Sequence, residues 1–264
     1  MLYLRVLSAL VGIPIVLGAV YMGGVWYAGL VTVVAIIGSY EYNNIFIKRN
    51  HKIPHLITYP AVIMILAAIY FAQINLLYPI LTLVMLVLFS SVLFRVKTTS
   101  ITDAAIVLWG IVYLGIFLSY MILLRVHPQG LLYTYILLIG VWVHDTLAYF
   151  VGSKWGLNKL APEISPNKSV EGSIAGILGT VILFLSFSIL YPDLMPIGPF
   201  LSILLGLGLS VFSQLGDLME SSMKRQLKVK DSGSLIPGHG GILDRFDSLM
   251  LATPFVYYFI LLFG

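Results

Sequence analysis

Residues 172–191, GSIAGILGTVILFLSFSILY, form a stretch of twenty residues without a charged side chain. A helix of about 20 apolar residues spans the hydrocarbon core of a bilayer, which is about 30 Å thick. Several more windows of this kind occur in the chain, in which 59% of the 264 residues are hydrophobic and 10% are charged. An ordinary soluble domain is only about 45–50% apolar. The sequence therefore predicts an all-α, polytopic integral membrane protein.

Nine membrane-spanning helices fit the apolar windows best. The pair 56–73 and 76–94 could instead be a hairpin that dips into the bilayer. No small-residue cleavage site follows the first span, so we interpret it as a retained helix rather than a removed signal peptide. The predicted spans are 6–22, 25–45, 56–73, 76–94, 104–124, 131–151, 172–191, 198–219 and 247–263.

The distribution of Lys and Arg predicts a cytoplasmic N-terminus. In that orientation fourteen of the fifteen basic residues lie inside, as the positive-inside rule requires, and only Arg125 lies outside. The net charge of +4 is then a consequence of topology, and no nucleic-acid partner is expected. The inside residues are Arg5, Lys48, Arg49, Lys52, Arg95, Lys97, Lys154, Lys159, Lys168, Lys224, Arg225, Lys228, Lys230 and Arg245.

Two inside loops, 152–172 and 222–246, are longer and chemically richer than the other connections. The second gathers scarce charges around a proline and a glycine pair in SMKRQLKVKDSGSLIPGHGGILDRFD, residues 222–247. The chain has no cysteine, which excludes disulfides, thiolate metal sites and thiol nucleophiles. We therefore expect any chemistry on the inside face, in a C-terminal catalytic region, 126–264, supported by N-terminal scaffold helices, 1–125.

Acidic residues lie near the inner ends of several predicted spans. A charge inside a span costs about 2.5 kcal/mol or more, so such residues are candidates for function. Asp217 and Glu220 share one helix face at a spacing of three, and Asp244 and Asp247 repeat that spacing. Together with Asp145 these acids can converge on one pocket, and carboxylates at a wet edge are the ligands that Mg²⁺ prefers.

A structural interpretation competes, because acids at span ends also form interfacial ion pairs. For Glu220 and Asp247 both interpretations stay open. Asp217 and Asp244 have apolar or glycine neighbours, which favours function. For Glu41, near the inner end of the second span, we favour a packing or hydrogen-bonding role.

Basic residues and glycines surround these acids. A juxtamembrane cluster such as Lys224 and Arg225 ordinarily attracts lipid headgroups, at about 1 kcal/mol per charge. Here acids are interleaved with it, and Gly240 and Gly241 precede the last helix, where backbone N–H groups can approach phosphate oxygens. Lys168 in the first loop can also reach a phosphate. This combination favours phosphoryl or nucleotidyl transfer, whereas the single histidines His144 and His239 are more typical of structural positions.

Two long, irregular motifs lie in the C-terminal half of the chain. One is Asp145-Thr146-x-Ala148-Tyr149-Phe150-x-Gly152 followed by Ser165-Pro166-x-Lys168-Ser169-x-Glu171-Gly172. The other is Ser221-x-Met223-Lys224-Arg225, then Lys230-Asp231-x-Gly233, then Ile236-Pro237-x-His239-Gly240-Gly241-Ile242-x-Asp244-Arg245-Phe246-Asp247. Both motifs resemble those of the phosphatidate cytidylyltransferase (CDP-diacylglycerol synthase) family. The resemblance is strong over 145–250, whereas the N-terminal half matches only in length and hydropathy, apart from Tyr40-Glu41-Tyr42.

The resemblance implies a multi-pass enzyme of the bacterial cytoplasmic membrane, usually a homodimer, that converts CTP and phosphatidic acid into CDP-diacylglycerol and pyrophosphate. It implies Mg²⁺ on Asp217 and Asp244, allows a second cation such as K⁺, and places dimer contacts in 1–125. The implied catalytic residues are Asp217, Asp244, Asp247, Lys168, Lys224 and Arg225. The implied substrate-binding residues are Asp145, Ser165, Lys168, Lys230, Asp231, His239, Gly240, Gly241 and Arg245.

Two other classes compete with this interpretation. A secondary transporter would carry its ionisable residues at the midplane of two related halves, but the chain shows no internal repeat and most acids lie near one face. Another CTP-using membrane enzyme, such as a polyprenol kinase or an archaeal-type ether-lipid cytidylyltransferase, is a further alternative. CDP-alcohol phosphotransferases are disfavoured because their Asp-x-x-Asp-Gly pattern is missing.

Overall fold

The computed structural model describes residues 2–94, 99–193, 195, 197–235 and 240–264. Arg95 and Lys97 of the predicted inside set, and His239 of the predicted substrate-binding set, lie outside the described residues. The helices are α1 (Leu2–Met22), α2 (Gly24–Ile47), α3 (His55–Tyr70), α4 (Leu77–Phe94), α5 (Ile101–Ile111), α6 (Phe117–Val126), α7 (Gly130–Trp155), α8 (Val170–Leu190), α9 (Pro199–Gln226) and α10 (Leu243–Phe263).

The predicted all-α, polytopic architecture is confirmed. Among the described residues, seven helices are long and apolar enough to cross a membrane, and two shorter apolar helices, Ser8–Met22 and His55–Tyr70, accompany them. A π-helical turn, Val112–Ile116, joins α5 and α6, so each of the nine predicted spans coincides with one helical rod. Helices form here because lipid offers no hydrogen-bond partner, and a helix satisfies its own backbone. The count of nine crossings and the cytoplasmic N-terminus stay predictions.

Serine caps start two of the helices. Ser100 Oγ accepts a hydrogen bond from Asp103 N at 3.0 Å, and Asp103 Oδ2 accepts one from Ser100 N at 3.0 Å, which forms a capping box on α5. Ser169 Oγ accepts from Gly172 N at 3.1 Å at the start of α8. These caps satisfy backbone N–H groups that have no partner within the helix.

A short β-hairpin interrupts the first long loop and was not predicted. Strands β1 (Lys159–Ala161) and β2 (Ser165–Ser169) pair antiparallel, with Lys159 opposite Ser169 and Ala161 opposite Ser165. The hairpin escaped prediction because proline interrupts the alternation of side chains and glycine turn signals are missing from its tip. Its consequence is that Lys168 is held on a strand next to the α8 cap.

Two compact units make up the chain. One consists of Met1–His127 with Leu227–Arg245, and the other of Pro128–Gln226 with Phe246–Gly264. By its contacts, the loop after α9 therefore belongs with the N-terminal helices. The predicted functional division into 1–125 and 126–264 concerns chemistry rather than contacts, and it stays a prediction.

Glycine brings helices together inside each unit. In the first unit Gly110 leaves room for the buried ring of Tyr42. In the second, Gly140 faces Phe184 and Leu209, and a Cβ there would lie 2.7 Å from the Phe184 ring. Membrane helices gain little from the hydrophobic effect within lipid, so close van der Waals packing at small residues holds them together.

Candidate active site

In the second unit, α9 presents an acidic residue to the β-hairpin. Asp217 Oδ2 lies 2.6 Å from Lys168 Nζ, and Ser221 Oγ donates to Asp217 Oδ1 at 3.2 Å. The Asp217 and Lys168 side chains are 30% and 23% exposed, so this ion pair is open to solvent on one side. A partly exposed ion pair contributes at most about 1 kcal/mol to stability and can exchange for a ligand.

One turn further along α9, a second ion pair is buried. Glu220 is 1% exposed, and its Oε2 lies 2.6 Å from Lys224 Nζ. The spacing of four residues puts both groups on one helix face. An unpaired buried carboxylate is strongly unfavourable, so the ion pair with Lys224 stabilises the ionised form of Glu220.

The start of α10 adds a third acid to this surface. Gly216 lies directly against the Asp247 carbonyl oxygen, and a Cβ at Gly216 would overlap it. Asp247 lies within electrostatic range of Asp217, Glu220 and Lys224, and its Oδ1 accepts a hydrogen bond from Ser248 N at 2.8 Å. We call Asp217, Glu220, Asp247, Lys168 and Lys224 the α9 charge cluster. The cluster thus gathers three carboxyl groups and two ammonium groups on α9, β2 and the start of α10.

Several contacts hold the β-hairpin in place beside this cluster. Arg225 Nε donates to Ile164 O at 3.0 Å, and Asn158 donates to Glu171 from its backbone N at 3.1 Å and from Nδ2 at 2.7 Å. A Cβ at Gly172, at the start of α8, would lie 3.0 Å from the Cα of Gly152. Arg225 therefore contributes to the position of Lys168, and the motif glycines permit close crossing of α7 and α8.

In the first unit, Asp244 is enclosed by hydrogen-bond donors. Its Oδ2 accepts from Ser232 N at 3.0 Å, from Ser232 Oγ at 2.9 Å and from Gly241 N at 2.8 Å. Gly240 has a φ of 86°, in the left-handed region that favours glycine, and a Cβ there would lie 2.8 Å from Asp244 Oδ2. Within the described residues, the glycine pair thus serves the approach of backbone to a carboxylate.

Glu41 has the hydrogen-bonding role that we favoured from the sequence. It is 3% exposed on α2, and it accepts from Ile242 N and Leu243 N at 3.0 Å each. Its Oε2 also lies 3.2 Å from Ser232 Oγ. Sequence reasoning missed Ser232, which touches both acids, because nothing distinguishes it from other loop serines.

The remaining predicted residues are distributed over both units. In the second unit Asp145 is exposed on α7 and Ser165 is half-buried at the start of β2. In the first unit Lys230, Asp231 and Arg245 are exposed, whereas Gly241 is buried. The structure thus brings together Lys168, Lys224, Asp217 and Asp247 in one unit, and Asp244 with Gly241 in the other. The pairing of Asp217 with Asp244 stays a prediction.

The acids suit a loosely held hard cation better than a closed protein cage. Within the ranges that the structure describes, no three His, Asp or Glu side chains form a metal-binding group. Mg²⁺ commonly takes only one or two protein carboxylates and completes its shell with waters and substrate phosphates. The carboxylate oxygens of the α9 charge cluster are ligands of the kind that this mode of binding uses.

A sequence model of the cytidylyltransferase family matches residues 3–263. The chain belongs to this family. Among similar proteins, the phosphatidate cytidylyltransferase of Bacillus subtilis strain 168 is 43% identical over 182 residues, which cover 69% of this chain and 66% of that protein. The phosphatidate cytidylyltransferase of Staphylococcus epidermidis strain ATCC 12228 is 37% identical over 253 residues, 95% of each chain. That of Staphylococcus aureus strain COL is 36% identical over 255 residues, again 95% of each.

The match to the cytidylyltransferase family includes the polar residues described above. Both predicted motifs lie inside the matched range, and so does Glu41. The match also extends through the N-terminal half, where sequence reasoning found only length, hydropathy and one tripeptide. The family resemblance seen in the motifs is therefore confirmed over almost the whole chain.

Proposed function

We propose that this multi-pass membrane protein is a phosphatidate cytidylyltransferase, which transfers the cytidylyl group of CTP to phosphatidic acid and releases pyrophosphate. The observation that carries the proposal is the ion pair of Lys168 with Asp217 at 2.6 Å, which is partly exposed to solvent and lies in the same cluster as Asp247 and Lys224. Relatives named for this activity align with 95% of the chain.

The reaction joins two anions. An oxygen of the lipid phosphate forms a bond to the α-phosphorus of CTP, and the bond from that phosphorus to the oxygen bridging the α- and β-phosphates breaks. Pyrophosphate leaves with the electron pair, and CDP-diacylglycerol remains in the membrane. The attacking phosphate is already anionic, so no strong base is required, and catalysis consists mainly of positioning and charge neutralisation.

The basic residues neutralise this charge. Lys168 Nζ pairs with Asp217 in the structure and is the group best placed to turn to a phosphate oxygen. Arg225 and Lys230, both exposed, add positive charge for the triphosphate or the lipid phosphate. In the proposal Asp145, Ser165, Asp231, His239 and Arg245 complete the substrate contacts.

Mg²⁺ is the proposed cofactor, with Asp217 and Asp244 as its protein ligands, Asp247 beside them, and a second cation such as K⁺ nearby. When bound, the metal ion supplies charge neutralisation between the two phosphates and stabilises the leaving pyrophosphate. The protein's own contribution in the second unit is to hold Lys168 against Asp217 and Lys224 against Glu220.

The proposed site faces the cytoplasm, where CTP is dissolved, and opens sideways to the bilayer for the two-tailed lipid. The excess of Lys and Arg on the loops that carry it supports this orientation. A homodimer joined through residues 1–125 is proposed on the family resemblance alone.

The direct test is pyrophosphate release by the purified protein in detergent. We expect release only when CTP, a divalent cation and phosphatidic acid are all present, with CDP-diacylglycerol formed in equal amount. Release without the lipid, or no release with all three present, would contradict the proposal.

A further inference from the structure

We propose that Glu41 is a positioning residue that aims Asp244 through Ser232. The inference rests on the proposed function, since it gives Glu41 a part in the same cation site. All of the contacts that carry it lie within the first unit, between α2, the described part of the 227–242 segment and the start of α10.

The first step is the cap that Glu41 forms on α10. Its two carboxylate oxygens accept hydrogen bonds from Ile242 N and Leu243 N at 3.0 Å. Backbone N–H groups at a helix start have no intrahelical partner, and the positive end of the helix dipole favours a carboxylate there. Because Glu41 is 3% exposed, these bonds form away from water and fix the first turn of α10 to α2.

The second step is the bridge through Ser232. Its hydroxyl oxygen lies 3.2 Å from Glu41 Oε2 and 2.9 Å from Asp244 Oδ2, and its backbone N donates to the same Asp244 oxygen at 3.0 Å. A hydroxyl has one proton, so Ser232 Oγ can donate to only one carboxylate at a time. When the hydroxyl turns to Glu41, the backbone N–H still holds Asp244. Ser232 therefore couples the positions of the two acids.

The third step is the space that glycines leave for this arrangement. A Cβ at Gly241 would overlap Ser232 Oγ and crowd Glu41 Oε2, and a Cβ at Gly233 would overlap Glu41 Oε1. Gly240 makes the corresponding space beside Asp244 Oδ2. Three glycines of one motif therefore leave space for two carboxylates. A loop that only reversed the chain direction would not need glycine at all three positions.

A second tether, from the turn that follows α2, holds the other end of the segment. Arg49 Nε donates to Leu227 O at 2.5 Å, and its Nη2 donates to Lys228 O at 3.0 Å. Lys228 has a φ of 51°, so the backbone turns sharply where Arg49 holds it. Glu41 on α2 and Arg49 in the turn after it thus hold both ends of the segment, and the orientation of Asp244 depends on a part of the chain distant in sequence.

The test compares Glu41→Gln with a matched control, Asp103→Asn. Gln replaces one acceptor oxygen with an NH₂ group that must face a backbone N–H, so the α10 cap is broken. We expect the Mg²⁺ concentration for half-maximal pyrophosphate release to rise about tenfold or more, the usual effect of losing a residue that orients a metal ligand. Asp103 is also a buried, helix-capping carboxylate of the first unit, so its variant is expected to lower thermal stability without changing the Mg²⁺ requirement.

Ser232→Ala provides a second variant if Glu41→Gln fails to fold. It removes the bridge and leaves the α10 cap, so we expect a smaller shift in the Mg²⁺ requirement. The double variant should shift the requirement no further than Glu41→Gln alone, because both changes interrupt one coupling. Additive effects, or an unchanged requirement in both single variants, would overturn the positioning role.

Measurements without turnover separate this inference from the proposed function. Mn²⁺ binding followed by electron paramagnetic resonance should weaken in Glu41→Gln and not in Asp103→Asn, and amide hydrogen exchange at residues 240–247 should speed up in Glu41→Gln alone. If the wild-type protein binds Mn²⁺ but releases no pyrophosphate, the proposed function fails, and the positioning role stands if Glu41→Gln still weakens Mn²⁺ binding. If the wild-type protein is active and Glu41→Gln matches it in Mn²⁺ affinity and exchange, the positioning role fails.

Discussion

Asp217 takes part in two kinds of interaction at once. Lys168 forms an ion pair with it, and Ser221 from the next turn of α9 donates a hydrogen bond to its other oxygen. Its partner Lys168 comes from a strand 49 positions earlier in the chain. A carboxylate held in this way keeps its orientation when a ligand displaces the lysine.

The substitution Asp217→Asn should therefore remove activity and keep the fold. We expect kcat for pyrophosphate release to fall by about 100-fold or more, the scale of losing one group that stabilises charge in a transition state. The partly exposed ion pair contributes little to stability, so the melting temperature in detergent should change little. Retained activity in a folded Asp217→Asn protein would remove this residue from the proposed metal site.

A matched control for this prediction is Asp193→Asn. Asp193 is an exposed acid in the connection between α8 and α9, and the predicted topology puts it on the opposite side of the membrane. Its variant should release pyrophosphate at the wild-type rate.

At the scale of elements, the contact between α9 and α10 in the second unit is set by glycine. Gly216 lies against the Asp247 carbonyl oxygen, and Gly208, two turns earlier, lies against the ring of Phe255. These glycines repeat at a spacing of eight, which keeps them on one face of α9. Asp247 joins the α9 charge cluster because the two backbones approach closely at Gly216.

The substitution Gly216→Ala tests this contact. The added methyl group meets backbone rather than a flexible side chain, so the helices must move apart, at an expected cost of about 1–3 kcal/mol in unfolding free energy. We expect a lower melting temperature together with a lower kcat, since Asp217 and Asp247 separate. Gly12→Ala in α1 is the control, because a Cβ there meets nothing within 4 Å, and a Gly216→Ala protein as stable and active as this control would refute the argument.

Local sequence predicted most elements but not all of them. Apolar windows located the helical rods. A segment of about 20 apolar residues in lipid forms an α-helix, because the helix pairs its backbone N–H and C=O groups within the segment. The β-hairpin at 159–169 depends instead on tethers from Arg225 and Glu171, and the π-helical turn at Val112–Ile116 packs Gly115 against α3. Neither tether nor packing partner can be read from a local pattern.

At the scale of the whole molecule, topology connects charge to function. The predicted orientation puts Ser234 in the cytoplasm and Asp193 outside, with both side chains exposed. The natural absence of cysteine means that a single introduced thiol can be labelled without background.

We expect Ser234→Cys to react with a membrane-impermeant maleimide in inside-out vesicles and not in right-side-out vesicles, because the basic loops stay on the cytoplasmic side. Asp193→Cys should show the reverse pattern. Labelling of both thiols from the same side would contradict an odd number of crossings between them, and labelling of Ser234→Cys from outside alone would invert the proposed orientation.

The sequence by itself determined the helical membrane class, the position of each rod and the motifs that carry the family resemblance, since hydrophobic length and local spacing encode these properties. Only the tertiary structure decided which charges meet. It paired Lys168 with Asp217, 49 positions apart, and it linked Glu41 to Ser232 across 191 positions. The physical reason is that a charge removed from water is unfavourable unless it is paired or hydrogen-bonded. Each of these acids therefore lies where the fold supplies a donor, and that donor comes from a segment that packs against the acid rather than from a neighbour in sequence.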